Sequence, residues 1–298
     1  MSKTIAFFGE ILADVFPDRS VLGGAPFNAA RHLQVFGHKP RMVTRIGKDK
    51  LGQELLDAMK DLGMDTTDVQ RDDEHPTGQV RVHIESSGHR FEILPDQAYD
   101  HIRSDELIVT AEPPDMIYFG TLAQRCPQSR YALDIFLANN KSPRFLDINL
   151  RQPWYDLNTI ERSLVLAHQV KINDEELAIV ARMLNLKADH PELQAAALLE
   201  NFDLDVVLVT CGAGGAWVLE RGHDILCAPS KATIPLADTV GAGDAFAAVY
   251  MLGRLSGWPM ETTLARANDF AGAVCAIRGA APEEAEPFYA PFKLEWKL

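Results

Sequence analysis

The chain has 298 residues, 47% hydrophobic and 24% charged, enough to bury a large core and ordinary for a soluble globular protein. Its formal net charge of −13 argues against a nucleic-acid backbone or an anionic membrane as partner, although a local nest of N–H groups or a metal still admits a phosphorylated ligand. No window approaches the roughly 18 uninterrupted apolar residues of a membrane span.

From the N-terminus, residues 1–10 run directly into a strand-like pattern with no cleavable signal, so a cytoplasmic location is expected. Thr4–Gly9 reads as a strand, Ala25–Phe36 as a helix, Arg41–Ile46 as a strand and Leu51–Leu62 as a helix. Thr77–Glu85 and His89–Leu94 alternate apolar and polar residues around Ser86-Ser87-Gly88, the pattern of a β-hairpin. Met116–Gly120 then reads as a strand, Gln128–Asn139 as a helix, Arg144–Ile148 and Val170–Asn173 as strands, Glu175–Leu184 as a helix and Asp205–Thr210 as a buried strand. Helices follow from about Ala242 and over Glu261–Ile277, and Pro282–Pro291 reads as a surface tail. This alternation predicts an α/β fold with a mostly parallel sheet flanked by helices. The hairpin interrupts it. With the segment near residues 12–22, the stretch 77–98 reads either as a small β lid over a ligand site or as a decorative edge; an apolar face on it would suit a homodimer. No repeat or inter-domain linker stands out, so a single domain over residues 1–298 is expected.

The four cysteines, Cys126, Cys211, Cys227 and Cys275, are scattered without metal or redox spacing and read as reduced thiols. None of the nine histidines pairs with another at ligand spacing, which argues against a zinc site.

The most informative stretch is Asp238-Thr239-Val240-Gly241-Ala242-Gly243-Asp244-Ala245-Phe246. Glycines just ahead of a helix let backbone N–H groups approach an anion, and the helix dipole adds positive potential there. Asp244 falls in the first turn, where a carboxylate beside a bound phosphate suits phosphoryl transfer, accepting the proton of an attacking hydroxyl. The same residue is also a common first-turn choice for structural reasons alone.

Together with Gly23-Gly24-Ala25-Pro26-Phe27-Asn28-Ala29-Ala30, continued through Gly37 to Thr44-Arg45-Ile46-Gly47-Lys48-Asp49 and Gly52, this stretch resembles the two signatures of the ribokinase-like (PfkB) family of ATP-dependent sugar kinases. The resemblance spans nearly the whole chain. It implies a ribokinase-like fold and a sugar hydroxyl attacking the γ-phosphate of ATP. It makes Asp244 the base and assigns the anion hole to the N–H groups of Gly241, Ala242, Gly243 and Asp244. It sets Asp14, Gly23, Gly24 and Asn28 against the sugar. Asn173 and Glu176, from an Asn-x-x-Glu pattern, are implied near Mg²⁺ through water. Thr210, Gly212 and Gly215, from a Thr-x-Gly-x-x-Gly pattern, are implied along the nucleotide, with Asn268 near the adenine. Asp238 is implied at a monovalent cation site for K⁺, although the part after Gly279 departs from the family pattern.

For the substrate, Gly9-Glu10, the Gly23–Asn28 segment and Asp147-Ile148-Asn149-Leu150-Arg151 resemble fructokinases, the last also 2-keto-3-deoxygluconate kinases. Arg151 suits sugar hydroxyls or a carboxylate. Fructose is the expected substrate. A kinase of 2-keto-3-deoxygluconate, ribose or a nucleoside is the alternative, and a non-catalytic sugar-binding regulator is a further one.

Overall fold

The run Ile5-Ala6-Phe7-Phe8 is buried without alternation, no residue more than 1% exposed, as a strand covered on both faces requires. The computed structural model describes residues 2–85, 88–230, 237–282 and 284–298, with backbone alone at 84–85 and 88–89. Ser86 and Ser87, at the expected hairpin turn, lie outside the described residues. The chain divides into two compact units, Met1–Pro114 with Ala123–Lys141, and Asp115–Leu122 with Ser142–Leu298.

In the first unit β1 (Thr4–Phe8), β2 (Leu12–Val15), β3 (Ser20–Gly23), α1 (Ala25–Val35), β4 (Lys39–Gly47), α2 (Lys50–Asp61), β5 (Val69–Asp72), β6 (Gly78–Glu85) and β7 (Gly88–Ile93) follow in order, with α3 (Pro127–Asn139) returning later. β1 pairs parallel with β4, Thr4 opposite Lys39, and β4 pairs parallel with β5, Thr44 opposite Val69. A second sheet has the order β3-β2-β6-β7. In it β2 runs antiparallel to β3 and parallel to β6, and β6 runs antiparallel to β7. The two segments expected near 12–22 and 77–98 thus join in one sheet. Asp49 anchors this region: it caps α2 by accepting from Gly52 N at 2.7 Å, and its second oxygen accepts from Thr77 N at 2.8 Å.

The second unit runs β8 (Met116–Gly120), β9 (Arg144–Asp147), α4 (Leu157–Leu166), β10 (Gln169–Asn173), α5 (Asp174–Met183), α6 (Pro191–Asn201), β11 (Val206–Thr210), β12 (Ala216–Glu220), β13 (Leu226–Ala228), α7 (Ala242–Ser256), α8 (Met260–Cys275) and α9 (Ala285–Trp296). Its strand order is β13-β12-β11-β10-β9-β8. β8 through β11 are parallel, and β12 and β13 add antiparallel. Helix α7 is apolar all round, with Ala245 to Leu252 at most 3% exposed, the signature of a core helix. Among the described residues no helix is long and apolar enough to cross a membrane.

One expectation fails outright. The stretch 282–291, expected as a surface tail, is largely helix α9, with Pro291 inside it. A proline within a helix costs about 3 kcal/mol, so local propensity argues against this helix. Tertiary packing overrides it: Phe288, Phe292 and Trp296 all lie edge-on to Phe270, with centroids at 5.9, 5.1 and 6.2 Å. Each such pair adds about 0.5–1.5 kcal/mol beyond area burial.

Candidate active site

Three of the expected sugar residues converge in the first unit. Asp14 sits on β2, Gly23 ends β3 and Asn28 lies in the first turn of α1. A Cβ on Gly23 would lie 3.6 Å from Asp14 Oδ2 and 3.9 Å from Asn28 Oδ1, so the glycine brings backbone close to both oxygens. Gly24, the N-cap of α1, has φ +106, and a Cβ there would stand 2.8 Å from the Glu10 carbonyl oxygen. Only glycine tolerates both conditions. Asn28 is 5% exposed and Asp14 half-buried, and an amide beside a carboxylate supplies the kinds of donor and acceptor that pair with hydroxyls. A separate hollow of about 280 Å³, lined by Arg41, Val109, Phe136 and Lys141 among others, includes none of these residues.

In the second unit, Gly241 is the N-cap of α7 in the left-handed conformation, φ +79, with no side-chain cap hydrogen bond. Ala242, Gly243 and Asp244 form the first turn, with Gly243 exposed and Asp244 half-buried. Asp238 braces the approach: Oδ1 accepts from Val240 N and Oδ2 from Gly279 N, both at 3.0 Å. The carboxylate expected at a monovalent cation site therefore clamps two backbone segments, and each of its oxygens keeps a further lone pair.

Beneath this helix end lies a residue that the sequence reading missed. Lys171, on β10, donates to both oxygens of Asp147 at 2.9 and 3.0 Å, and the Tyr118 hydroxyl donates to Asp147 Oδ2 at 3.2 Å. The side chains of Lys171 and Asp147 are 8% and 1% exposed. A Cβ on Gly243 would stand 3.4 Å from Lys171 Nζ, so the ammonium lies against the first turn of α7. Burial alone would push the Lys171 pKa down. The charge and hydrogen bonds of Asp147, with the charges of Glu176 and Asp244, more than offset this and hold it above its ordinary value. The ammonium persists at neutral pH. A signal for it was present, a lysine within the apolar run Val170-Lys171-Ile172, a position that demands a buried partner.

Asn173 and Glu176 form a reciprocal capping box at the start of α5: Asn173 Oδ1 accepts from Glu176 N at 2.8 Å and Glu176 Oε2 from Asn173 N at 3.0 Å. Glu176 Oε1 also accepts from Leu150 N at 2.7 Å, which ties the residues following β9 to α5. Burial raises the Glu176 pKa, against the lowering effect of these N–H groups and of Lys171. Arg151 is exposed, with Nη1 donating to the Leu150 carbonyl at 3.3 Å.

Of the expected nucleotide residues, Gly215 and Asn268 lie against the end of β13. Thr210 ends β11 opposite Ala216, and Gly212 and Gly215 have φ of +51 and +90. A Cβ on Gly215 would stand 2.8 Å from the carbonyl carbon of Pro229, so the turn packs backbone on backbone. Asn268, buried on α8, donates from Nδ2 to the Ala228 carbonyl at 2.8 Å, so its amide fastens α8 to β13.

Comparison with known proteins bears on the family and the fold. The chain is 27% identical over 276 residues to a fructokinase of Escherichia coli, covering 85% of each. It is also 27% identical to a 2-dehydro-3-deoxygluconokinase of Escherichia coli over 310 residues, covering 96% of this chain and all of the relative. A fructokinase double mutant of Vibrio cholerae, solved with fructose, ADP and a potassium ion, superposes with a TM-score of 0.81 at 22% identity over 97% of this chain and 98% of its own. The fold is therefore ribokinase-like. The family model for pfkB family carbohydrate kinases matches residues 6–286, and the chain belongs to that family.

Proposed function

We propose that this carbohydrate kinase transfers the γ-phosphoryl group of ATP to a hydroxyl of free fructose. The observation that carries the phosphoryl-transfer half is the end of α7, where Asp244 shares its turn with uncapped glycine backbone and the Lys171 ammonium lies against Gly243. Phosphoryl transfer has a loose transition state, so positioning and charge stabilisation do most of the work. Asp244 orients the hydroxyl and takes its proton late. The N–H groups of Gly241, Ala242, Gly243 and Asp244 stabilise the phosphoryl oxygens. Asp14, Gly23, Gly24, Asn28 and Arg151 recognise the sugar, and Thr210, Gly212, Gly215 and Asn268 recognise the nucleotide.

Asn173 and Glu176 offer hard oxygen donors already committed to backbone N–H groups, which fits a hydrated magnesium ion held through its water. When bound, Mg²⁺ neutralises triphosphate charge. Asp238 and neighbouring carbonyls suit a potassium ion.

An ADP-release assay over a sugar panel tests the substrate; robust turnover of another sugar beside negligible turnover of fructose refutes it. A second reading, phosphorylation of 2-keto-3-deoxygluconate, is favoured by the exposed guanidinium of Arg151 and by the resemblance to the deoxygluconokinase relative. Arg151→Gln would then raise the KM for the acid sugar far more than that for fructose.

A further inference from the structure

The histidines are dispersed in sequence, yet the fold stacks two of them. His75 lies between β5 and β6 and His101 beyond β7, and their rings stack with centroids 3.6 Å apart at 15°. Both turn Nε2 toward one carboxylate oxygen: Asp96 Oδ1 is 2.8 Å from His101 Nε2 and 3.6 Å from His75 Nε2. The opposite ring nitrogens face acceptors. His75 Nδ1 is 3.3 Å from both oxygens of Asp72. His101 Nδ1 is 3.3 Å from Gln128 Oε1, and the Gln128 amide is fixed in that sense because its Nε2 donates to the His101 carbonyl.

These acceptors place N–H on each Nδ1 and aim each Nε2 at the carboxylate, the orientation by which outer carboxylates and carbonyls hold metal-binding histidines. An Nε2 meets a carboxylate oxygen favourably only through a proton or a cation. With protons on every ring nitrogen, two imidazolium rings would stack 3.6 Å apart; a single metal ion replaces both Nε2 protons without that repulsion. We propose that His75, Asp96 and His101 form a site for one divalent transition-metal ion of the zinc class.

The three ligand atoms lie within 4.8 Å of one another. Tetrahedral zinc, with bonds of about 2.0–2.1 Å, sets its ligands about 3.3 Å apart. Closure therefore asks the rings to fan apart and the exposed Asp96 carboxylate to swing, a small motion for a side chain 73% exposed. The frame around the ligands is fixed. Gln97 and Asp100 form a capping box over the turn between Asp96 and His101, and Arg125 donates to both oxygens of Asp100 at 2.7 Å. Asp72 is in turn held by Arg45 Nε at 2.6 Å. Two imidazoles and one carboxylate select zinc, cobalt, nickel or copper over magnesium, which demands oxygen. Three protein ligands leave a fourth position for water. The bound ion joins the chain entering β6 to the chain leaving β7, fastening the base of that strand pair.

The test uses the full chain after chelation and dialysis. Titration with Co²⁺, followed by visible ligand-field bands and displaced by Zn²⁺, should show one high-affinity ion per chain. His75→Gln and His101→Gln should each weaken it at least tenfold, and the double variant should abolish it; Cys211→Ser with Cys227→Ser should leave it unchanged. Zn²⁺ should raise the melting temperature of the parent, where equal Mg²⁺ does not. The proposal is overturned if the parent neither binds Co²⁺ nor gains stability with Zn²⁺, or if the double variant matches the parent in either readout.

Discussion

Lys171→Met removes the ammonium that neutralises Asp147 and leaves the rest of β10 unchanged. Asp147 is 1% exposed and receives two hydrogen bonds from Lys171 and one from Tyr118. After substitution it retains the phenol alone, a buried charge with no countercharge in contact. Removing one partner of such a pair costs about 3–5 kcal/mol. At about 2–4 °C per kcal/mol, the melting temperature should fall by roughly 6–20 °C. Adding Asp147→Asn removes the stranded charge and keeps a partner for Tyr118, so the double variant should return to within about 1–2 kcal/mol of the parent. Equilibrium urea denaturation of the parent, both single variants and the double variant closes the cycle. A cost below about 1 kcal/mol for Lys171→Met, or additive single costs, refutes the account of a buried pair. The double variant also isolates the role of the charge at α7. Folded but lacking the ammonium beside Gly243 and Asp244, it should lose turnover on the order of 100-fold, the scale of one preorganised electrostatic donor.

Asp244→Asn keeps a first-turn polar side chain but cannot take a proton, so ADP release should fall by about 10²–10⁴ while calorimetric fructose binding persists; undiminished turnover would sink its assignment as base. Gly24→Ala forces a Cβ to 2.8 Å from the Glu10 carbonyl at φ +106, which should cost about 1–3 kcal/mol and raise the KM for sugar through Gly23; an unshifted melting temperature contradicts this. Burial would raise the Asp72 pKa, but hydrogen bonds from Arg45 and from the N–H groups of His75 and Glu74 hold it far below the ordinary carboxylate range. For Asp49, Thr77 and Gly52 likewise prevail over burial. A depressed folded pKa gives stability that is present above the unfolded value near 3.9 and lost as pH falls through the folded one. Asp72→Asn should therefore flatten the acid limb of the stability curve, and an unchanged limb argues against the ion pair as its source.

The parallel strands were legible because a strand covered on both faces becomes an unbroken apolar run, as in Ile5–Phe8 and Val206–Val209. The end of α7 was legible because its glycines and aspartate are contiguous in the chain. Lys171 was not, since a lone charge in an apolar run reveals its partner only when strand register sets it opposite Asp147. Helix α9 was hidden by its prolines, because the aromatic rings that overrule them come from Phe270 and Trp258 on distant segments. His75 and His101 failed the spacing test for the same reason. Sequence spacing reports contacts within one element, whereas these two meet only after the hairpin has folded back.

Among the described helices, α1 and α7 alone begin on a glycine N-cap, Gly24 and Gly241, both at positive φ and without a side-chain cap. By contrast α2, α4 and α5 are capped by Asp49, Asp156 and Asn173. A glycine cap in place of Ser, Thr, Asp or Asn forgoes roughly a few tenths of a kcal/mol, so both glycine starts give up a little available stability. At Gly241 the alternative is closed sterically as well, since a Cβ would stand 2.5 Å from Ala280 Cα. A capping oxygen there would also occupy the N–H groups of the first turn. Under the proposed function, helix ends that carry neither a cap nor room for one, each next to polar residues the family signatures pick out, would serve a ligand rather than stability.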